Sequence, residues 1–351
     1  MIKKLISIFL ILSMSVLRVS AFDVDSVSAE CAVVLNVHTG EVIVAKNEHQ
    51  KQSMASTTKI MTSLLAIESG KLQSEIVVTQ QMLGAEGTSV GLMAGDCISL
   101  NGLVYGMMLS SGNDAADVTA IYLGGNVENF SSLMNAKAKQ IGMFNTNFVT
   151  PSGLDDEKHY STAYDMALLG AYAVNNPKFV SVCSSKKANV SYGNPPYQRT
   201  LYNHNKLLEY YDSALGIKTG FTKKSGRCLV SYAEKDNAEL IAVTLNAPDD
   251  WNDHIRMFDY AFNVMVSKKF IPKIPETIRV VGGVKDSVGI SVEPCWFSVS
   301  DDNIEVTAKV FIQQFTYAPV KIGSVVGRCE YYIQDKLFKV EPILTCESID
   351  I

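Results

Sequence analysis

The sequence predicts an α+β domain, an antiparallel sheet covered by helices, followed by a small all-β domain. Three observations carry this. A hairpin-like strand pair comes first, many helical segments follow, and a three-strand meander then closes the first part. Beyond residue 275 the helical period disappears, and short strand-like runs recur at regular intervals. A segment with two prolines and several lysines separates the two parts.

In chain order, residues 32–37 and 42–45 are short apolar runs around His38-Thr39-Gly40-Glu41, as in a β-hairpin. From 54 to 67 the period changes. Ile60, Met61, Leu64, Leu65 and Ile67 recur around nearly the whole circumference of a helix, the pattern of one buried in a core. Further helical segments cover 103–109, 115–123 and 162–174. The meander runs through 216–222, 227–233 and 239–245, with turns at Lys223-Lys224-Ser225-Gly226 and Glu234-Lys235-Asp236-Asn237. A helix over 251–266 ends the large domain, 22–267. Residues 268–275 read as a linker. Strands over 278–281, 288–292, 305–313, 320–329 and 337–340 make 276–351 a small β-sandwich-like domain.

Residues 1–21 stand apart. Lys3 and Lys4 precede an apolar run from Leu5 to Leu17, and Val19-Ser20-Ala21 offers small residues for cleavage, as in a signal peptide. The run is shorter than the ~20 residues a membrane span needs. Arg18, close to the cut, keeps an uncleaved anchor as the alternative. An exported, extracytoplasmic protein is expected.

Composition excludes several classes. With 47% hydrophobic and 19% charged residues the chain is globular, and a net charge of −5 without a basic stripe gives no reason to expect nucleic acid. The seven cysteines are an odd number with no C-x-x-C pair, so neither a disulfide framework nor a zinc ribbon is expected. The five histidines form no H-E-x-x-H, and neither metal nor cofactor is expected.

Three short motifs carry chemistry. Ser56-Thr57-Thr58-Lys59 opens the buried helix. Three residues is less than one turn, so hydroxyl and amine share a face, and an apolar helix lowers the lysine pKa and frees its neutral amine as a base. Ser111-Gly112-Asn113 lies between two helices, where a hydroxyl could relay a proton and an amide could orient a peptide bond. Lys218-Thr219-Gly220 sits in a strand, a lysine and a hydroxyl ready to hold a carboxylate beside a glycine that admits a ligand backbone. Each motif alone is weak. Ser184-Ser185-Lys186-Lys187, Ser99-Leu100-Asn101 and Lys224-Ser225-Gly226 match the same patterns in poorer surroundings, and Ser and Asn are common helix caps.

The combination is specific. S-x-x-K, S-x-N and K-T-G in this order, 55 and 162 residues apart from Ser56, resemble the signature of serine penicillin-recognising enzymes. Segments 28–42, 107–116, 153–163 and 205–220 further resemble D-alanyl-D-alanine carboxypeptidases of the low-molecular-mass penicillin-binding-protein class, and the likeness runs over about residues 28–345.

That resemblance implies a β-lactamase/transpeptidase-like first domain and a peptidoglycan stem peptide ending in D-Ala-D-Ala as substrate. It implies Ser56 as nucleophile, Lys59 as base and Ser111 as proton relay. Asn113 would hold the substrate amide, and Lys218, Thr219 and Gly220 would form the carboxylate site. The backbone N–H groups of Ser56 and Phe221 would form the oxyanion hole. β-Lactam antibiotics would acylate Ser56 and leave slowly. Ser152 and Tyr164 depart from the family pattern without altering this chemistry, and His159 and His204 are expected to be structural or peripheral. The chain closes on an acidic segment, Leu344 to Ile351, with no basic amphipathic helix, so membrane attachment is not expected unless the leader is retained.

Two other readings compete. A class A-like β-lactamase needs a deacylating carboxylate in an E-x-x-L-N context, but Glu157 is followed by Lys158-His159-Tyr160. A catalytically silent cell-envelope binding protein would not need all six motif side chains intact. A transpeptidase side activity stays open, because these motifs do not specify the acceptor.

Overall fold

A computed structural model describes residues 22–84, 86–300 and 304–351; the expected signal peptide lies outside them. In the first unit, β1 (Cys31–Asn36) and β2 (Val42–Lys46) form the hairpin. A 3-10 turn over Ala55–Thr58 runs into α1 (Lys59–Glu68). Then follow β3 (Glu75–Val77), β4 (Cys97–Ser99), α2 (Leu100–Met108), α3 (Asn113–Gly124) and α4 (Val127–Ile141). Next come α5 (Ala163–Val174), α6 (Pro177–Cys183), β5 (Lys187–Gly193), β6 (Pro196–Tyr202) and α7 (Leu207–Tyr210). The meander β7 (Ala214–Thr222), β8 (Gly226–Lys235), β9 (Ala238–Leu245) and the helix α8 (Asp250–Val264) complete it.

The main sheet is antiparallel, in the order β2-β1-β9-β8-β7. Both faces are covered. Val33, Leu35, Val230, Ile241 and Val243 pack among the helices of one side, while Ala32, Val34, Leu240 and Ala242 meet Met257, Phe258 and Ala261 of α8 on the other. This is why β1 reads as an unbroken apolar run rather than an alternating one. The apolar circumference expected for 54–67 has the same origin, since α1 packs against α2, α3, α4, α5, α6 and β7. Of the five strands, β7 lies at the sheet edge, which leaves its outer backbone open to a peptide.

The sequence reading did not anticipate α4 or the separate sheet β3-β4-β5-β6. α4 buries only Phe130, Met134 and Ala138, one residue per turn, too narrow a stripe to stand out.

The second unit comprises β10 (Val266–Phe270), β11 (Thr277–Val281), β12 (Ser287–Ser291), β13 (Cys295–Val299), β14 (Val306–Ile312), β15 (Phe315–Tyr317), β16 (Val325–Ile333) and β17 (Lys336–Thr345). It holds a six-stranded sheet, β14-β16-β17-β12-β11-β15, and the pair β10-β13. Two expectations need correction. Residues 268–270, read as linker, are strand: they pair with β13, and Phe270 meets Tyr331 edge-on at 6.1 Å. Val266, read as helix, begins that same strand. A half-buried aromatic packed on the β core outweighs the lysines around it. The two units touch through Asn36, whose Nδ2 donates to the Ser298 carbonyl at 2.9 Å.

Candidate active site

Ser56 stands in the 3-10 turn that precedes α1. In such a turn side chains three apart nearly eclipse, and Lys59 Nζ lies 2.8 Å from Ser56 Oγ. Lys59 is fully buried, with Nζ also 2.7 Å from Asn113 Oδ1 and 2.7 Å from the Ser152 carbonyl. All three contacts are neutral oxygens. Burial, and then the nearby Lys218 ammonium, push the Lys59 pKa well below its ordinary value, against weaker opposition from Asp117 and Asp114. A neutral amine keeps two N–H bonds and one lone pair. In that form only the serine among the three partners has a proton to give, so the lone pair would face Ser56.

The Ser152 carbonyl reaches Lys59 because of its neighbour. Gly153 has φ +86°, and a Cβ there would lie 1.9 Å from the Ala55 carbonyl oxygen. Ser152, read from the sequence only as a departure from the family pattern, thus contributes its carbonyl to the lysine's cage.

Ser111 has φ +60° and is nearly buried in the connection between α2 and α3. The helix-cap reading of Ser111-Gly112-Asn113 fails, since Gly112 caps α3 without a side-chain bond. The lookalike Ser99 is the true cap, accepting from Gly102 N at 3.0 Å. Asn113 was expected to offer its amide to a ligand. Instead Oδ1 faces Lys59 and Nδ2 donates to the Glu86 carbonyl at 2.5 Å, leaving one lone pair and one N–H. Asp114 adds to this scaffold by accepting from Ser89 Oγ, Val90 N and Leu92 N, which pins the loop that carries Thr88.

On β7, Lys218 is buried and donates to the Thr219 carbonyl at 3.0 Å. Burial lowers its pKa to about 7. It lies behind the groove wall, whereas Thr219, Gly220 and Phe221 line the groove. Gly220 makes room for something other than the expected ligand backbone: a Cβ would sit 3.0 Å from Ser56 N and 3.0 Å from Ala55 Cβ. Glycine here lets the edge strand close on the serine turn. The lookalike Lys224-Ser225-Gly226 is the β7–β8 turn, with Ser225 bonded to Thr222, and Ser184 ends α6 with Oγ donating to Val180 O.

These elements enclose a cleft of about 530 Å³, lined by Ser56, Thr88, Ser111, His204, Lys206, Thr219, Gly220, Phe221, Arg227, Asp250 and Trp251. The sequence reading missed Thr88, Lys206, Arg227, Asp250 and Trp251. Only the acidic start of α8 hinted at them. The pKa of His204 is lowered by burial and by Lys218. His159 is outside the cleft, as expected of a structural residue. Its Nδ1 accepts from Val149 N at 2.9 Å, so in the neutral ring Nε2 carries the proton toward Thr58 Oγ1, 2.8 Å away, and burial lowers its pKa to about 4.

A family model described as D-alanyl-D-alanine carboxypeptidase matches residues 18–249. The chain belongs to this family of serine peptidases. Among the carboxypeptidase relatives, DacF of Bacillus subtilis (strain 168) is 34% identical over 245 residues, which cover 67% of this chain and 62% of DacF. The chain thus spans less than two thirds of that relative. DacC of Escherichia coli (strain K12) is 30% identical over 358 residues, covering 93% of this chain and 86% of DacC. A solved structure of penicillin binding protein 5 from Haemophilus influenzae matches with a TM-score of 0.64 and 28% identity, over 93% of this chain and 98% of that one. The likeness to both thus takes in the terminal β unit.

Proposed function

We propose that this carboxypeptidase removes the terminal D-alanine of peptidoglycan stem peptides through an acyl-enzyme on Ser56, and that β-lactams acylate the same oxygen. The observation that carries the reading is the 2.8 Å approach of Lys59 Nζ to Ser56 Oγ within a buried cage of neutral acceptors.

In this scheme the Lys59 amine takes the Ser56 proton as Oγ adds to the carbonyl between the two D-alanines. The tetrahedral oxygen is held by the backbone N–H groups of Ser56 and Phe221, on the turn and on the strand that Gly220 brings together. The proton then passes through Ser111 to the departing nitrogen, the C–N bond breaks and D-alanine leaves. Water adds to the acyl carbon, the C–Oγ bond breaks and Ser56 regains its proton. Asn113 positions Lys59 and offers its remaining amide groups to the substrate. Thr219 and Lys218 hold the terminal carboxylate.

Residues 1–21 act as an export signal in this reading, residues 22–267 form the catalytic domain and 276–351 the accessory β domain. Among the described residues no helix is long and apolar enough to cross a membrane.

The test is D-alanine release from a pentapeptide together with the mass shift on benzylpenicillin. Ser56→Ala is expected to lose at least ~10³-fold in release and all of the mass shift. Wild-type protein that neither releases D-alanine nor retains the penicilloyl mass contradicts the proposal.

A further inference from the structure

Arg227, on β8, is a cation built into the cleft wall. Its Nε and Nη2 lie 2.9 and 2.5 Å from Asp250 Oδ1, and its guanidinium carbon lies 5.4 Å from the centroid of the Trp251 ring. The Asp250 side chain is only 3% exposed and also accepts from Trp251 N at 2.9 Å, while the arginine side chain remains 41% exposed. A guanidinium gripped from behind by a buried carboxylate and an indole has lost most of its rotamer freedom before any ligand arrives. Three of its five N–H bonds remain, in a planar fork that fits a carboxylate.

Strand register places this fork. Arg227 pairs with Phe221 and Leu229 with Thr219, so these four residues share one face of the β7–β8 ladder. Thr219 and Arg227 are diagonal neighbours, with Cβ atoms about 7–8 Å apart, within reach of a long side chain. Lys218 stands behind them, turned toward the Thr219 carbonyl, and with a pKa near 7 it has given up much of its charge at neutral pH. His204 is neutral there as well. Arginine never gives up its proton in this range.

We propose that Arg227, locked by Asp250 and Trp251, is the specificity-determining cation for the carboxylate of the departing D-alanine. Lys218, only partly charged and behind the groove wall, then supports that hold through Thr219, whose carbonyl it bonds at 3.0 Å. The assignment rests on the carboxypeptidase reading above.

Two acyl-D-alanyl thioesters test it. They share the acyl group and differ only in the leaving thiol, thioglycolate in one and thioglycolamide in the other. In Arg227→Gln the ratio of kcat/KM for the carboxylate donor to that for the amide donor is expected to fall roughly tenfold to a hundredfold. Arg227→Lys keeps a charge against Asp250 but loses the fork, and the ratio should fall by less. It also decides the matter if the glutamine variant does not fold. A ratio unchanged in the folded variants overturns the assignment. Wild-type protein that hydrolyses neither thioester removes the carboxypeptidase reading itself, and the assignment with it.

Discussion

In the terminal β unit, cations stand at the surface beside carboxylates. Arg328 Nε is 2.8 Å from Glu330, Lys339 Nζ is 2.7 Å from Glu341, and Lys285 reaches Glu347. At the front of α1 and on β7 the arrangement is reversed: Lys59 and Lys218 are buried, and their close contacts are hydroxyl, amide and carbonyl oxygens. The surface pairs stabilise the fold little, because water already solvates both partners. The buried amines cost stability, since burial penalises their charged form. A fold keeps that cost where the depressed pKa is useful. The difference separates charge that solvates from charge that reacts.

The sharpest way to break the comparison is at Lys59. Lys59→Met and Lys59→Arg should both lower the β-lactam acylation rate by at least ~10³-fold. The arginine restores charge without a usable base, so rescue by Lys59→Arg would mean that charge, not basicity, is needed. A smaller effect falls on stability at Lys218. Its folded pKa, about 7, lies below the ordinary 10.5, so between these values the unfolded chain binds more protons than the native one. Stability therefore rises as pH increases from about 7 toward 10, by an amount on the order of a few kcal/mol. Urea unfolding across that range should show the rise, and Lys218→Met should make it shallower, leaving the part that comes from Lys59. Lys339→Met, in the exposed pair, should leave the slope as it is.

Much of the fold was legible because it is written in short-range patterns. The meander and the hairpin appear within a residue or two of their expected limits, and the buried helix ends one residue past its own with its first turn in 3-10 form, since turn residues and apolar periods specify them locally. The four-stranded sheet was not legible. β3 and β4 are three residues each; they pair with one another, and only β4 makes the long-range pairing with β5 that joins them to the sheet. At the site, the motif residues were readable as types in an order. The roles of Gly153 and Gly220 were not, because each depends on how closely two distant backbones approach. Arg227 was hidden for a similar reason: its partners Asp250 and Trp251 come from a helix beyond the next strand.

The chemistry proposed for Ser56 requires a Lys59 amine that loses its proton well below the ordinary lysine range. The direct measurement is the second-order rate of benzylpenicillin acylation against pH, read by mass spectrometry. The rate should rise with pH and level off at an inflection well below the ordinary lysine value of 10.5, and in Lys218→Met that inflection should move upward, because Lys218 lowers the Lys59 pKa. An inflection at the ordinary lysine value, or one that Lys218→Met leaves in place, would contradict it.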